Sequence, residues 1–444
     1  MGLRGHGAVA LTVIGCVAAG FVAPTAASAG TDAEPGWAQR ALDLQYELAS
    51  DVGFVNTPWV GTHNSYNSTV QAGVTLSAQD ANQEITNVEQ LDAGIRSLEL
   101  DVHRVPDVPG GPLRVCHGRG ADQAHFGCTI EKPLDETLAE IAGWLATPAN
   151  SDQVLLLYLE DHMGDAAGYD DAADVVGDEL GEMLFAPSEG GCSEVPASLT
   201  RDAVRAAGKQ VVIVSDCGPG TGWAQVAFNW DSHVESRPVG YADFPDCGPD
   251  YDRATYDSKL VRYFEDRTAL TNQVGPPTGV ATPDDGITPQ TAAAMARCGV
   301  DLIGMDLISG PADRRLEALV WSWKTNRPRA PEGSDDRNCA IQRQGVAVSD
   351  SLGGGERSAW LDKRCRRLNR PACRAADGTW SIPGKARRFG EARAACERRG
   401  LALGAPRTGY ESQQLGAAMD AAGAGNAWLG HRLRGGEWQP TAPR

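Results

Sequence analysis

Segments with the pattern of β-strands alternate with segments that have the pattern of α-helices between residues 34 and 329 of this 444-residue chain. Alternation over about 270 residues predicts a (βα)8 barrel of the TIM type, regular or distorted. We expect strands at 54–60, 95–102, 113–117, 154–160, 210–215, 225–229 and 301–307. We expect helices at 34–51, 137–146, 172–184, 200–207, 256–268 and 288–297.

Polar and charged side chains stand where several of these strands end. In the run SLELDV at 97–102, alternation places the two acids on one face of a strand and the apolar residues on the other. Chemistry in such barrels is located at the carboxyl ends of the strands. The candidate site residues there are His63, Asn64, Glu99, Asp101, His117 and Glu160.

These residue types suit the cleavage of a phosphodiester. The reaction needs a base, an acid and positive charge near the phosphorus-bound oxygens, and His63 and His117 are candidates for proton transfer and phosphate contact. The remaining candidates all offer oxygen atoms, which hard cations prefer. Acids without a cation would repel an anionic substrate, so a divalent ion is expected among them. The plainer alternative is that Glu99 and Asp101 form salt bridges at the barrel mouth.

Three runs in this order resemble motifs of the phosphatidylinositol-specific phospholipase C family: WVGTHNSY at 59–66, VCHG at 115–118 and QVLLLYLEDH at 153–162. The resemblance implies attack of the inositol 2-hydroxyl on phosphorus, which releases diacylglycerol and a cyclic inositol phosphate. In the family's metal-independent branch, an arginine occupies the position of Asp101. The calcium-dependent branch has ligands that match Asn64, Glu99, Asp101 and Glu160.

The same resemblance assigns roles to the two histidines. His117 is expected to be the acid, and His63 either the base or the residue that stabilises the phosphorane. The identity of the base stays open. Asp306, at the end of the last expected strand, either orients a histidine or forms hydrogen bonds that hold the barrel end.

The amino-terminal segment has the features of a secretory signal peptide. Arg4 precedes an apolar stretch at 8–19, and Ala27-Ser28-Ala29 supplies a small-residue cleavage site, so residues 1–29 are expected to be removed and the protein secreted. Ten of the 11 cysteines follow this segment, six before residue 330 and four after it. Even numbers in an exported protein favour disulfides in two separate modules, at 30–330 and 331–444. Cys116 is expected to pair with Cys128.

Charge divides at the same boundary. Residues 331–444 hold 19 Lys and Arg against 12 Asp and Glu, a net +7, which leaves −25 for the remainder of a chain whose net charge is −18. Such an acidic barrel is not attracted to anionic bilayers, since that attraction requires clustered Lys and Arg. The phospholipase resemblance implies phosphatidylinositol or a related lipid as the partner, and the acidic barrel would meet it at a transient membrane interface through apolar loops or the basic tail. No nucleic acid is expected.

The tail resembles a small α+β C-type lectin-like domain with its halves in reversed order. Runs at 338–341, 360–365 and 371–374 match that family's closing segment and precede runs at 389–396 and 426–430 that match its opening segment. The resemblance implies disulfides Cys339–Cys365 and Cys373–Cys396. Leu361 replaces the asparagine of the family's calcium-and-sugar motif, so a scaffold role, or adhesion to a protein or glycan ligand, is favoured over calcium-dependent sugar binding.

The sequence is also compatible with two alternative functions. A glycerophosphodiester phosphodiesterase is also a barrel with paired acids and histidines, but its opening H-R-G run is absent from this sequence. A catalytically inert, secreted adhesion protein is the alternative outside enzymes. The full set of six candidate residues argues against loss of activity.

Overall fold

A computed structural model describes residues 36–72, 81–105, 111–116, 132–188, 192–236, 248, 250–265, 267, 286–329, 337–346, 348 and 358–441. The expected signal peptide, His117 and Cys128 lie outside these residues. Among the described residues, no helix combines the length and the apolar character needed to cross a bilayer.

The first sheet is built almost entirely of parallel strands. In the described residues its order is β6-β5-β4-β2-β1-β9-β8-β7, and β3 is added antiparallel to β2. The strands are β1 Trp59–Thr62, β2 Ser97–Arg104, β3 Leu113–Val115, β4 Leu155–His162, β5 Val211–Ser215, β6 Phe228–Asn229, β7 Val234–Glu235, β8 Leu260–Phe264 and β9 Leu302–Met305.

Helices connect these strands and cover the outside of the sheet. They are α1 Trp37–Leu48, α2 Thr69–Ala72, α3 Asn87–Asp92, α4 Leu134–Leu145, α5 Ala166–Leu180, α6 Arg201–Ala206, α7 Trp223–Val226, α8 Pro289–Cys298 and α9 Arg314–Ala318. Short 3-10 turns occur at Phe54–Asn56, Pro148–Asn150, Asp231–His233 and Arg253–Tyr256.

The sheet curls into a distorted barrel. Tyr158 on β4 and Phe264 on β8 are four strands apart in the sheet order, yet their ring centroids lie 6.0 Å from each other. Such a contact is possible only if the two halves of the sheet bend toward a shared interior. Among the described residues β6 and β7 are the ends of the sheet and do not pair with each other. The expected barrel is therefore present in its distorted form.

Apolar and acidic residues alternate along β2, so they lie on opposite faces of the sheet, as the sequence predicts. Leu98, Leu100 and Val102 are fully buried in the core between the sheet and its helices. A second core, which includes Trp59, Leu156 and Tyr158, fills the barrel interior. Because successive residues of a strand point to opposite faces, Glu99 and Asp101 are directed to this interior side.

Three expected elements differ from the structure. The run 256–268, expected as a helix, contains strand β8, because Leu260 and Val261 fill the inner and outer cores on alternate faces while β8 pairs with β9. Such tertiary packing overrides helix propensity. The strand expected at 54–60 begins with a 3-10 turn and becomes extended only at Trp59. The strand expected at 225–229 begins after helix α7.

The carboxyl-terminal region is rich in short strands. They are β10 Cys339–Gln344, β11 Ser358–Lys363, β12 Arg370–Pro371, β13 Cys373–Arg374, β14 Trp380–Ser381, β15 Ala402–Leu403, β16 Asn426–Arg434 and β17 Glu437–Pro440, with helices α10 Phe389–Glu397 and α11 Gly409–Ala421. In the described part, one sheet has the order β11-β10-β16-β12 with β17 beside β16, and the other has the order β14-β13-β15.

Disulfides stabilise both regions. The expected bonds Cys339–Cys365 and Cys373–Cys396 are confirmed. In the barrel, Cys192 bonds to Cys217, and Cys116 is also disulfide-bonded. The expected partner of Cys116 lies outside the described residues.

The two regions are packed against each other near the boundary expected at residue 330. The backbone N–H of Trp360 donates to Ser322 O at 2.8 Å, and the N–H of Lys324 donates to Trp360 O at 3.1 Å. Trp321 and Trp323 contact the indole of Trp360 edge-on. The last residues of the barrel segment therefore act as an additional strand-like edge of the carboxyl-terminal region.

Candidate active site

A histidine–aspartate pair joins the ends of neighbouring strands β1 and β9. Their parallel register places Thr62 opposite Met305, so the next residues, His63 and Asp306, lie side by side. Nδ1 of His63 is 3.1 Å from Oδ1 of Asp306, whose carboxylate is fully buried and also accepts the backbone N–H of Arg267. Of the two roles considered for Asp306, the structure provides both, because it contacts the imidazole and holds backbone at the barrel end.

The electrostatic environment favours the charged imidazole. Burial opposes protonation of His63, but the carboxylates of Asp306 and Glu99 outweigh this effect and raise its pKa well above the ordinary value. Burial raises the pKa of Asp306 to about 7, although the neighbouring His63 acts in the opposite direction. Each partner therefore favours the charged form of the other, since the carboxylate raises the pKa of His63 and the imidazolium lowers that of Asp306.

Three carboxylates converge beside this pair. Strands β2 and β4 are parallel with Asp101 opposite Glu160, and Glu99 lies two residues earlier on the same face of β2. One oxygen of each of the three side chains lies within 4.8 Å of the others. Glu99 and Asp101 are 3% exposed, whereas the side chain of Glu160 is 41% exposed at the rim.

Burial and repulsion between like charges both raise the pKa values of Asp101 and Glu99. Desolvation, followed by the charges of Glu160 and Glu99, raises the pKa of Asp101 well above its ordinary value. Desolvation also raises the pKa of Glu99, while His63, whose Nε2 is 3.7 Å from Glu99 Oε2, lowers it. Buried carboxylates of like charge that are not fully compensated provide an environment in which a dication would be stabilised.

Asn64 connects the histidine to the acids. It adopts φ 43°, a left-handed conformation uncommon for residues other than glycine. This turn directs its backbone N–H to Oε2 of Glu99 at 3.1 Å. Its side-chain oxygen is 3.3 Å from the hydroxyl of Tyr66, which in turn interacts with Asp101. The amide oxygen is thus next to the carboxylate cluster.

His117 lies outside the described residues, so its catalytic assignment stays a prediction. The adjacent Cys116 is described, and its backbone N–H donates to the carbonyl oxygen of Asp101 at 3.1 Å. The chain therefore approaches the acidic cluster immediately before His117.

Sequence reasoning missed a cation in the barrel interior. The guanidinium of Arg262 on β8 lies 4.8 Å from the ring centroid of Trp230, 5.1 Å from that of Phe264 and 5.2 Å from that of Tyr158. Its positive charge lowers the pKa of Glu99. One terminal nitrogen is buried without a hydrogen-bond partner in the described part of the chain. The β-branched and aromatic run LVRYF at 260–264 was the feature that could have identified this strand.

Sequence comparison identifies the family. The family model described as the Rv2075c PI-PLC-like domain matches residues 22–312. The uncharacterized protein Rv2075c of Mycobacterium tuberculosis H37Rv is 35% identical over 412 residues, which cover 89% of this chain and 80% of that protein. The chain belongs to the Rv2075c PI-PLC-like family. The uncharacterized protein MT2135 of M. tuberculosis strain CDC 1551 matches with the same identity and coverage.

Solved phospholipases C are also similar in structure to this family member. The phosphatidylinositol-specific enzyme from Listeria monocytogenes has a TM-score of 0.41 and 16% identity, over 63% of this chain and 97% of that one. The calcium-dependent enzyme from Streptomyces antibioticus has a TM-score of 0.35 and 17% identity, over 58% of this chain and 96% of that one.

Proposed function

We propose that this chain is a secreted, calcium-dependent phospholipase C that cleaves phosphatidylinositol into diacylglycerol and a cyclic inositol phosphate. The observation on which the proposal mainly depends is the convergence of Glu99, Asp101 and Glu160 within 4.8 Å beside His63. Membership of the PI-PLC-like family supports phosphodiester chemistry at this site.

The donor set fits calcium. Glu99, Asp101 and Glu160 would hold the ion together with the amide oxygen of Asn64, because Ca²⁺ prefers carboxylate and carbonyl oxygens. When bound, the ion supplies positive charge that polarises phosphate oxygens. The buried location of two of the acids would limit competition from water.

The chain's own residues handle the protons. In the proposed reaction the inositol 2-hydroxyl oxygen forms a bond to phosphorus, and the bond from phosphorus to the glycerol oxygen breaks. His117 would give a proton to that departing oxygen. Asp306 holds Nδ1 of His63 so that Nε2 faces the acids, which places the imidazole for contact with the phosphorane. The proton of the 2-hydroxyl would pass to a carboxylate or a neutral imidazole of the site.

Arg262 is proposed to contact the substrate headgroup, because its guanidinium is enclosed by three aromatic rings on the interior side of the barrel. We expect Arg262→Met to lower kcat/KM for phosphatidylinositol roughly 10- to 100-fold, since a charged hydrogen bond to substrate would be lost. Initial rates on mixed micelles measure this effect. Arg398→Met, at an exposed position after α10, is the control, and equal rates for both variants would exclude this role.

Val70 is proposed to contact the lipid surface. It lies on α2, seven residues after His63, and its relative exposure of 59% is large for an apolar side chain. We expect Val70→Asp to reduce hydrolysis of phosphatidylinositol in vesicles several-fold. Each methyl or methylene group that leaves water for the lipid contributes about 0.8 kcal/mol to membrane binding, whereas a carboxylate opposes insertion into the lipid. Activity on a water-soluble inositol phosphodiester should be unchanged. A parallel loss on both substrates would contradict the interfacial role.

The carboxyl-terminal region is proposed to be a permuted C-type lectin-like scaffold rather than a calcium-dependent sugar-binding domain. Leu361 is 6% exposed and supplies no oxygen ligand, and the neighbouring Asp362 forms an ion pair with Arg327 at 2.8 Å. These two side chains therefore serve packing and ion pairing rather than calcium binding.

One experiment separates the proposed function from its alternatives. The purified protein is incubated with phosphatidylinositol and, separately, with glycerophosphoinositol. A phospholipase C converts the lipid into diacylglycerol, a glycerophosphodiesterase acts on the deacylated compound, and an inert adhesion protein acts on neither. Absence of diacylglycerol in the presence of calcium would overturn the proposal.

A further inference from the structure

A polar cavity of about 370 Å³ lies between the barrel and the carboxyl-terminal region. Its barrel wall includes Asn56 and Asp301, which precede strands β1 and β9. Its other wall includes Arg374, Arg407 and Gln414. Residues that precede parallel strands lie at the end of the barrel opposite to that of His63 and the acidic cluster, so this cavity is separate from the candidate active site.

The charges that line the cavity nearly cancel. Glu411 accepts from Arg374 at 2.5 Å and from Arg407 at 3.0 Å, and Arg407 also lies 3.5 Å from Asp51. Arg253 pairs with Asp301 at 2.8 Å, and Asp377 adds a further carboxylate. Three guanidinium groups thus face four carboxylates. Because there is no surplus of positive charge, the cavity is not suited to phosphate or another anion.

Polar groups nevertheless remain available to a ligand. The lining includes the amide side chains of Asn56 and Gln414 and the hydroxyl-bearing side chains of Thr408 and Tyr410. Donors and acceptors are therefore both present around the cavity, which suits hydroxyl groups because each hydroxyl both donates and accepts.

The walls are held together by close packing of the two regions. Gly409, which begins helix α11, approaches helix α8 so closely that a Cβ atom there would lie 2.1 Å from Ala296 O. The glycine therefore permits the contact that places Tyr410 and Gln414 opposite the barrel. The volume falls within the roughly 300–1,000 Å³ of typical small-molecule sites.

We propose that this cavity binds a small, neutral, polyhydroxylated compound, namely a mono- or disaccharide. The ligand hydroxyls would pair with Tyr410, with Gln414 and with the carboxylate of Glu411, which Arg374 and Arg407 share. This inference is independent of the phospholipase activity, because its residues lie at the other end of the barrel.

The full-length protein is tested by saturation-transfer difference NMR with glucose, mannose and trehalose, each added separately. We expect at least one sugar to bind, and Gln414→Leu and Tyr410→Phe each to weaken its binding about fivefold to tenfold through loss of one hydrogen bond. Gln413→Leu is the matched control, since Gln413 is the preceding, also exposed residue of the same helix and is not part of the lining. Inorganic phosphate should not displace the sugar.

Three results would overturn the inference. The first is that none of the sugars binds the wild-type protein. The second is that binding is unaffected by Gln414→Leu and Tyr410→Phe, which would place the sugar elsewhere. The third is that phosphate displaces the sugar from the cavity, which would show an anion site instead.

Discussion

Asp101→Asn is expected to lower calcium-dependent activity by orders of magnitude while stabilising the metal-free protein. Loss of one carboxylate from the cluster should lower kcat for phosphatidylinositol by about 10²- to 10³-fold, comparable to removal of one electrostatic contact to a transition state. The measurements are initial rates in calcium and isothermal titration of calcium into the chelated protein. The variant should bind the ion weakly or not at all.

The stabilising effect follows from the raised pKa of Asp101. A carboxyl whose pKa is higher in the folded state binds more protons when folded, so its contribution to stability falls as pH rises above its ordinary value of 3.8. Without metal, we therefore expect Asp101→Asn to raise the melting temperature at pH 8 by about 2 °C and to have little effect at pH 4. Calcium should raise the melting temperature of the wild type but not that of Asp101→Asn.

Asp174→Asn, at an exposed position on α5, is the control for this variant. It should leave activity, calcium binding and the melting temperatures at pH 8 and pH 4 unchanged. If Asp101→Asn retained wild-type activity and calcium affinity, the acidic cluster would not be the metal site.

His63→Ala is expected to lower kcat by about 10²- to 10⁴-fold, because it removes a group placed for proton transfer or charge stabilisation. The fold should persist, since the side chain of His63 is 16% exposed and packs at the rim. His117→Ala is expected to have an effect of similar size. The control is His233→Ala, a histidine that pairs with Glu194 at 3.4 Å outside the cluster. Wild-type turnover in His63→Ala would remove this residue from the chemistry.

The pH dependence of activity shows whether Asp306 acts electrostatically on His63 or has a purely structural role. If the charged form of His63 is active, activity declines as pH rises through the pKa of His63, which the carboxylate of Asp306 raises. Asp306→Asn removes the neighbouring negative charge and should shift this alkaline limb to lower pH. A purely structural role for Asp306 would reduce activity at every pH without moving the limb.

The part of the site formed by β2 and β4 could be predicted from sequence because it depends on local patterns. Alternation in 97–102 places Glu99 and Asp101 on one face, and the apolar run before Glu160 identifies the next parallel strand. Parallel strands end at the same edge of a sheet, so these acids converge without further information.

The remainder depends on contacts between distant parts of the chain. The pair of His63 and Asp306 is separated by 243 residues and forms only because β9 is adjacent to β1. Arg262 was missed because its segment has a pattern compatible with a helix, and packing in two cores decides that it is a strand. No local pattern specifies either adjacency.

Phosphorus NMR of the purified protein with phosphatidylinositol micelles follows the proposed calcium-dependent cleavage itself. We expect the lipid phosphodiester resonance to be replaced by that of a cyclic inositol phosphodiester in calcium, EGTA to stop this conversion, and added calcium to restore it. Full conversion in the chelator, or no cyclic product with calcium present, would contradict the proposal.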